Sequence, residues 1–281
     1  VTLIESCENE AQRHGASYWC GLLGLFDSGE LTGAVWLQIH PGRAASLHGP
    51  VLLTYNHDLA VQLVRSALQS EAAAGACLAQ ALLQKAQDAP AKALLDAGFT
   101  HATDLNYLFR SVDAQASLRS PTRLHFEPYS AENHDRLKAS VERTYVGSQD
   151  CPMVDGVRSV EDVLAGYRAT GNFNPNFWQL ASWDDAGRQP PVDVGCLLLA
   201  DQPTTQQVEL IYMGVMPQHR GKGFGQEIIV RAIQIAANAK RARLVLAVDT
   251  ANRPGIEIYE AAGFHGFGQR SLFLHVFSGD S

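Results

Sequence analysis

Hydrophobic and polar positions along the chain follow two different periods, which predicts both strands and helices. Short, mostly apolar runs at 193–200 and 244–248 are typical of buried strands. Apolar positions three and four residues apart at 59–68 and 255–262 indicate helices with one buried face. Because both kinds of segment occur in each half of the chain, the sequence predicts the α/β (α+β) fold class.

A repeat relates the two halves of the chain. The segment 94–99, Leu-Leu-Asp-Ala-Gly-Phe, resembles the segment 259–264, Tyr-Glu-Ala-Ala-Gly-Phe, which begins 165 residues later. The same shift places 80–83 over the apolar strand at 245–248 and also relates two helices. A constant offset over several elements indicates two tandem domains.

Composition sets the expected domain boundaries. The stretch 116–122 is made of small and polar residues with a proline near its end, which is typical of a linker. We therefore predict a first domain at 1–115 and a second at 123–281.

A basic, glycine-rich loop at 220–225 follows the apolar strand at 208–215 and leads into a helix. Glycines let a ligand approach the backbone, and the N-terminus of a helix offers unpaired N–H groups and a positive dipole end. The loop is therefore predicted to hold phosphate oxygens. A nucleotide P-loop is excluded because Lys222 is followed by Gly223 instead of Ser or Thr. A dinucleotide site would need a parallel βαβ unit with an acidic residue roughly 20 positions further on. Here Glu227 comes too early, and the next acidic residue, Asp249, lies at the end of a later strand.

Two motifs in order carry a family resemblance over about 124–277. Arg220, Gly223 and Gly225 match an Arg/Gln-x-x-Gly-x-Gly/Ala signature, and Asn252, Tyr259, Gly263 and Phe264 match a second motif about 30 residues later. With both motifs, the chain resembles the GNAT superfamily of acyl-CoA-dependent N-acyltransferases. The resemblance implies two GNAT-like domains, each with a mixed, mostly antiparallel sheet flanked by helices. It also implies transfer of acetyl from acetyl-CoA to a primary amine, by direct attack in a ternary complex.

The resemblance also assigns the cofactor site. The backbone at 213–215 would pair with the pantetheine arm, and the amides near the glycine-rich loop would hold the pyrophosphate, with Arg220 and Lys222 supplying charge. The predicted cofactor residues are Met213, Gly214, Val215, Arg220, Gly221, Lys222, Gly223, Phe224, Gly225 and Asn252.

Two residues are candidate catalysts. Tyr259 matches the general acid of the family, and a phenol with a pKa of about 10 can protonate a leaving thiolate; the alternative is a core tyrosine. Glu209 matches a general base. Strand alternation predicts that Glu209 shares one face with Met213, opposite Tyr212, and burial would raise the pKa of its carboxyl group. A solvated strand-end glutamate, with a water relay as base, is the alternative.

The acceptor amine is expected over the first two helices of the second domain and their connecting loop. Candidate contacts there are Tyr145, Asp150, Cys151 and Trp178. Cys151 is not predicted to be a nucleophile, because no His or Asn arrangement supports thiol catalysis.

The first domain is predicted to be degenerate and non-catalytic. At the offset of 165, Arg220 falls on Tyr55, Gly223 on Asp58, Tyr259 on Leu94 and Glu209 on Ala44. Every polar role is lost, and Asp58 would place an anion where a pyrophosphate should bind.

Composition narrows the partners. The 281-residue chain is 46% hydrophobic and 18% charged, has a net charge of −7, and shows no apolar run near the ~20 residues that cross a bilayer. Five scattered cysteines indicate reduced thiols, and the absence of Cys-x-x-Cys or His-Glu-x-x-His motifs predicts no metal. We expect a cytoplasmic monomer or homodimer that binds a small-molecule or peptide amine, without nucleic acid or membrane. A non-catalytic acyl-CoA-binding protein, or an enzyme with a longer acyl donor, are the alternatives.

Overall fold

A computed structural model describes residues 19–84, 88–112, 122–184 and 191–277. These residues group into two compact units, one comprising the chain up to Ala102 together with the chain from Arg270 onward, the other Thr103–Gln269. Among the helices described, none is both long and apolar enough to span a membrane. Each unit combines strands with helices, so the predicted α/β class is confirmed.

The first unit has a sheet with helices against one face. Its elements are β1 (Leu22–Asp27), β2 (Glu30–His40), β3 (Ala44–Leu52), α1 (His57–Leu68), β4 (Leu78–Gln84) and α2 (Asp88–Asp96), joined by the end of β11 (His265–Val276). The strand order is β1-β2-β3-β4-β11. Only β3 and β4 are parallel among these neighbours. Leu37, Val64 and Leu94 lie in the buried cluster between the sheet and the helices.

The second unit carries a larger sheet with helices on both faces. Its elements are β5 (Thr100–Ser111), β6 (Leu124–Pro128), α3 (His134–Tyr145), α4 (Val160–Ala169), β7 (Trp178–Trp183), β8 (Val192–Gln202), β9 (Gln207–Val215), α5 (Phe224–Asn238), β10 (Arg243–Asp249) and α6 (Arg253–Ala261). The strand order is β5-β10-β9-β8-β7-β6, and only the β9–β10 pair is parallel. The predicted mixed, mostly antiparallel sheet flanked by helices is confirmed.

Alternate residues of β8 supply the two cores of the second unit. Leu197 and Leu199 pack with Ile228 of α5 on one face. Leu198 packs with Leu137 of α3 on the other face. The central strands are therefore buried on both sides, which holds the backbone between the helices rigidly in place.

The units do not follow the chain order of the predicted domains. Leu105–Ser111 of β5, expected in the first domain, pair with Asp249–Arg243 of β10, and Leu108 is only 8% exposed in the second unit's core. Conversely, Arg270–Val276 of β11, expected in the second domain, pair with β4 of the first unit. Except for Thr122, the predicted linker at 116–122 lies outside the described residues.

The two units share local geometry that corrects part of the sequence alignment. The parallel strands β3 and β4 pair over three residues, ending at Ser46–Gln80, and β9 and β10 pair over three residues, ending at Glu209–Val245. Gln80 and Val245 keep the offset of 165, but Ser46, and not Ala44, stands where Glu209 does. In the strand before the loop, the offset between the two units is therefore two residues shorter than the 165 residues that relate the rest of the repeat.

The same helix ending occurs in both units. The amide of Phe99 donates to the carbonyl of Leu94 at 3.0 Å, and the amide of Phe264 donates to the carbonyl of Tyr259 at 3.0 Å. Gly98 and Gly263 take the left-handed conformation that ends each helix, with φ of 103° and 81°. This helix ending explains why 94–99 and 259–264 resemble each other in sequence.

Candidate functional site

A cleft of about 840 Å³ lies in the second unit where β9 and β10 separate. After Glu209–Val245 the two strands no longer pair, so the backbone of 210–215 faces open space on the side away from β8. The remaining walls come from the end of α3 and the segment that follows it, from residues 219–221 and 223–226, and from residues 252–261.

The glycine-rich loop forms one end of the cleft. Gly223 is the N-cap of α5, and Gly221 and Gly223 have φ of 77° and 82°. A Cβ at Gly221 would meet no atom within 4 Å, so the loop has open space at this residue, whereas a Cβ at Gly223 would lie 3.3 Å from Oε1 of Gln226. Uncovered N–H groups at a helix N-terminus, aligned with the helix dipole, form an anion site.

Three of the predicted cofactor residues have a packing role. A Cβ at Gly225 would lie 2.7 Å from Cδ1 of Ile258, so this glycine lets α5 approach α6. A Cβ at Gly214 would lie 2.5 Å from Cβ of Thr144, so this glycine lets β9 approach α3. The ring of Phe224 is 1% exposed in the core, and only its backbone can face a ligand.

Arg220 ties the loop to the neighbouring elements. Its guanidinium donates to the carbonyl oxygens of Val215 at 3.0 Å, Gly147 at 3.0 Å and Thr144 at 2.9 Å. These bonds join the end of β9 to the end of α3. The side chain that we expected to supply charge to a ligand therefore positions two walls of the cleft.

Replacing Arg220 by lysine should lower the stability of the fold. An ammonium group lacks the planar fork that reaches three carbonyls, and the loss of two such bonds at a partly solvated site is worth about 1–2 kcal/mol. Urea denaturation of R220K should show this decrease in the free energy of unfolding. The matched variant Arg253→Lys, at the exposed start of α6, should change it by less than about 0.5 kcal/mol; equal stability of the two variants would contradict the role of Arg220.

Two more cations lie at the loop. The Nζ of Lys222 is 4.7 Å from the centroid of the Trp183 ring, so the lysine rests on an aromatic face. Arg123, which the sequence did not single out, donates to the Lys222 carbonyl at 2.7 Å. Its Nη2 also lies 2.6 Å from Oε1 of Glu227 in the first turn of α5. Arg123, directly before β6, thus holds the loop and the first turn of α5 together.

A bulge in β9 reverses the predicted face of Glu209. Leu198 pairs with Tyr212, but Leu199 pairs with Leu210, so Ile211 is an extra residue that interrupts the alternation. Glu209 consequently lies on the face of Tyr212, whereas Met213 packs with the core on the α5 side. The prediction that Glu209 shares a face with Met213 is wrong, because alternation holds only in an unbulged strand.

Glu209 is half-buried beside the last parallel pair, and its Oε2 accepts a hydrogen bond from Nε2 of Gln202 at 3.2 Å. Burial raises the pKa of its carboxyl group, and the bond from Gln202 partly offsets that. Glu209 is not among the residues that line the cleft, whose β9 wall begins at Leu210.

Tyr259 lines the cleft from α6 and is 8% exposed. Its ring packs against Phe264, with the centroids 5.8 Å apart. Burial, with the charge of Asp150 adding to it, raises the pKa of the phenol well above its ordinary value. The hydroxyl therefore stays protonated at neutral pH and can act as an acid.

Asp150 lines the same cleft. Its Oδ1 accepts a hydrogen bond from the amide of Asp249 at 2.9 Å, and the side chain of Asn252 donates to it as well. Asn252 is also the N-cap of α6, where its Oδ1 accepts from the amide of Gly255 at 3.1 Å. Asn252 thus caps a helix and holds a carboxylate of the cleft.

The other predicted substrate residues lie beside or behind the cleft. The Tyr145 hydroxyl is 3.0 Å from that of Tyr167, and its ring meets the edge of Tyr212 at 5.2 Å between centroids. Trp178 is 1% exposed within the core under α3 and α4, so its indole fills the interior and cannot contact a ligand. Burial raises the pKa of the Cys151 thiol to about 11, which favours its protonated form at neutral pH.

The described part of the chain holds no group of three or more metal-ligating side chains, and its four cysteines, at 20, 77, 151 and 196, are free thiols. Cys7 lies outside the described residues.

Comparisons with known proteins match this geometry to a family. The model described as the acetyltransferase (GNAT) family matches residues 148–264, which include Asp150, β9, the glycine-rich loop and Tyr259. The chain contains a GNAT acetyltransferase domain. N-acetyltransferase 8F1 of Rattus norvegicus is 29% identical over 104 residues, and the probable N-acetyltransferase family 8 member 5 of Mus musculus is 32% identical over 79 residues. The alignments cover 37% and 28% of this chain, and 45% and 35% of these relatives.

Solved GNAT structures share the fold along most of the chain. A GCN5-related N-acetyltransferase from Sphaerobacter thermophilus gives a TM-score of 0.64 at 16% identity, covering 98% of this chain and 90% of that one. A tandem GNAT protein from the clavulanic acid biosynthesis pathway gives 0.54 at 11% identity, covering 93% and 85%. At such identities the likeness concerns the fold alone.

Proposed function

We propose that the GNAT domain transfers acetyl from acetyl-CoA to a primary amine, by direct attack in a ternary complex. The observation that carries this proposal is that one cleft brings together the glycine-rich loop at the N-terminus of α5 and the phenol of Tyr259. One end of the cleft suits phosphate oxygens, and the other offers a proton to a leaving group.

The residues present fit acetyl-CoA. The amides at 221–225 and the dipole of α5 would hold its pyrophosphate, and the backbone of 210–215 is free to pair with its pantetheine arm. A cavity of about 840 Å³ falls within the range of small-molecule and cofactor sites. When bound, acetyl-CoA supplies an acetyl group activated as a thioester.

Tyr259 would then protonate the leaving sulfur. Its hydroxyl makes no hydrogen bond to another group in the described part of the chain, so its proton is available to the ligand. The larger share of the rate increase would come from holding the amine against the thioester between the walls of the cleft, since positioning removes most of the entropic barrier.

The first unit is proposed to be non-catalytic. The start of α1 is capped by Asn56, whose Oδ1 accepts from the amide of Leu59 at 3.1 Å, and Asp58 lies in its first turn. A capped and acidic helix N-terminus repels phosphate. Leu94, which cannot donate a proton, stands where the helix ending of the GNAT domain carries Tyr259.

Calorimetric titration of acetyl-CoA tests the cofactor site. The wild type should bind in the micromolar range, and Gly223→Asp should weaken binding at least about 100-fold, because it places an anion in the anion site at a φ of 82°. The matched control is Gly75→Asp in the first unit, where φ is likewise positive, at 85°, and a Cβ would meet nothing within 4 Å.

The dissociation constant of the control for acetyl-CoA should lie within about twofold of the wild-type value. Its binding free energy would then change by much less than the 1.4 kcal/mol that corresponds to tenfold. Absence of binding by the wild type would overturn the proposed enzyme. Unchanged binding by Gly223→Asp would show that the pyrophosphate does not bind at this loop.

A further inference from the structure

The loop that follows α3 brings one carboxylate to the wall of the cleft. Asp150 is accessible there, and both Tyr212 and Tyr259 line the same space. Its partners are N–H donors, the Asp249 amide at 2.9 Å and the Asn252 side chain. Within the described ranges no Lys, Arg or His pairs with it. Its charge is therefore left for a ligand.

Asp249 fixes the position of Asp150. The carboxylate of Asp249, at a residue 2% exposed, accepts from the amide of Cys151 at 3.0 Å, from Oγ1 of Thr103 at 2.6 Å and from the amide of Ala251 at 2.8 Å. Asp150 thus holds the backbone of Asp249, and Asp249 holds the backbone of Cys151, which locks the loop against the end of β10. Asp249 is saturated by these donors, and Asp150 is the member that faces the cleft.

The groups around Asp150 shift the pKa of its carboxyl group in opposing directions, with a net rise. Crowding by protein atoms around this accessible side chain raises its pKa, and the charge of Asp249 adds to the rise. The bonds from the Asp249 amide and Asn252 partly offset it. The titratable groups that face it or lie close by are Asp249 on β10, Cys151 in its own loop, Tyr212 on β9, Tyr259 on α6 and Tyr167 on α4, with Arg158 beside Tyr167.

We infer, on the basis of the proposed function, that Asp150 is the general base, and that the acceptor is a primary amine that enters as its ammonium ion. Glu209 is the less suitable base because it lies outside the lining of the cleft and its carboxylate is bonded to Gln202.

The proton balance of the step is simple. The Asp150 carboxylate accepts one proton from the ammonium group and later passes it to solvent. The nitrogen lone pair forms the C–N bond, and the C–S bonding pair leaves with sulfur. Tyr259 gives its proton to that sulfur and recovers one from the nitrogen of the new amide, so an ammonium ion yields an amide, a thiol and one released proton.

The same geometry selects the class of acceptor. A carboxylate between the tyrosines of the cleft suits an ammonium group, which gains both ion pairing and contact with aromatic faces. An acceptor with a carboxylate next to its amine would be repelled by Asp150. Aliphatic amines, charged at neutral pH, are therefore the expected substrates.

Steady-state kinetics of the full chain separates a base from a structural side chain. The panel of acceptors contains aliphatic diamines and polyamines, a lysine peptide, and aromatic amines that are neutral at pH 7. With aliphatic amines as acceptors, the kcat of Asp150→Asn should be about 10²–10⁴-fold lower than that of the wild type, which is the usual contribution of a general base. The affinity for acetyl-CoA should stay within about twofold. The loss should be smaller for aromatic amines, which need no deprotonation before attack.

The pH profile gives the second readout. For the wild type, kcat/KM should fall as pH drops through the raised pKa of Asp150, because only the ionised carboxylate accepts a proton. Asp150→Asn should lack this limb. The control Asp135→Asn, exposed on α3, should keep both rate and profile.

Each outcome decides the assignment. A kcat of Asp150→Asn within about threefold of wild type, or a larger loss in Glu209→Gln, overturns it. So does an enzyme that acetylates only aromatic amines. Binding of acetyl-CoA without acetylation of any amine in the panel overturns the proposed acetyl transfer. Failure of the wild type to bind acetyl-CoA overturns the proposed function itself.

Discussion

A chain that begins at Arg123 is expected to be unfolded, although that residue opens the second domain as predicted from sequence. Such a chain lacks β5, which pairs through Leu105–Ser111 with the whole of β10. It also loses Leu108 from the core and the bond from Thr103 to Asp249. Removing one buried leucine costs about 2–5 kcal/mol, and each ladder hydrogen bond adds about 1 kcal/mol. The sum is comparable with the whole stability of a domain, about 5–15 kcal/mol.

Circular dichroism and thermal unfolding would show the difference against a chain spanning Thr103–Gln269, which retains β5 and matches the compact unit. That chain should unfold cooperatively, while the chain from Arg123 should show no transition and no acetyl-CoA binding. Equal melting temperatures for the two chains would mean that β5 is dispensable.

Replacing Tyr259 by phenylalanine should lower kcat about 10²–10⁴-fold and leave the affinity for acetyl-CoA within about twofold. The substitution keeps the ring that packs against Phe264 and removes only the hydroxyl that faces the cleft. An interaction made only as the thiolate leaves affects turnover and not ground-state binding.

Stopped-flow detection of the released thiol would measure this effect. Tyr55→Phe in the first unit is the matched control; it removes a hydroxyl that donates to the Ala89 carbonyl at 2.9 Å, and it should retain full turnover. A kcat of Tyr259→Phe close to that of the control would make Tyr259 a packing residue, the alternative interpretation of its sequence.

The parts of the site that could be predicted from sequence are local ones. Gly223 and Asn252 each act within a few residues, as the caps of α5 and α6, so their patterns are visible in the linear chain. The helix ending at Gly263 is equally local, and its repetition at Gly98 made the second copy detectable. Local backbone requirements restrict the residue type directly.

The parts that escaped prediction depend on distant contacts. The bulge at Ile211 is visible only in the register of β8 against β9, and it moved Glu209 to the other face. The bond from Thr103 to Asp249 joins residues 146 positions apart. The residue types alone do not indicate such a contact. In the sequence, Asp150 is therefore only one of several candidate loop residues, and its position depends on contacts that only the structure shows.

Arg220 shows how a correct motif can carry an incomplete role. The motif placed it at the loop, but its guanidinium serves carbonyls of Val215, Gly147 and Thr144. A planar fork with several donors suits backbone carbonyls as well as phosphate, and only the geometry distinguishes the two uses.

The most direct test of the central claim is mass spectrometry of the full chain incubated with acetyl-CoA and the amine panel. We expect acetylated aliphatic amines, together with an equal amount of free CoA thiol, and loss of both products in Tyr259→Phe. Tight binding of acetyl-CoA without any acetylated amine would contradict the claim, and the cleft would then belong to a protein that binds the acyl donor without transferring its acetyl group.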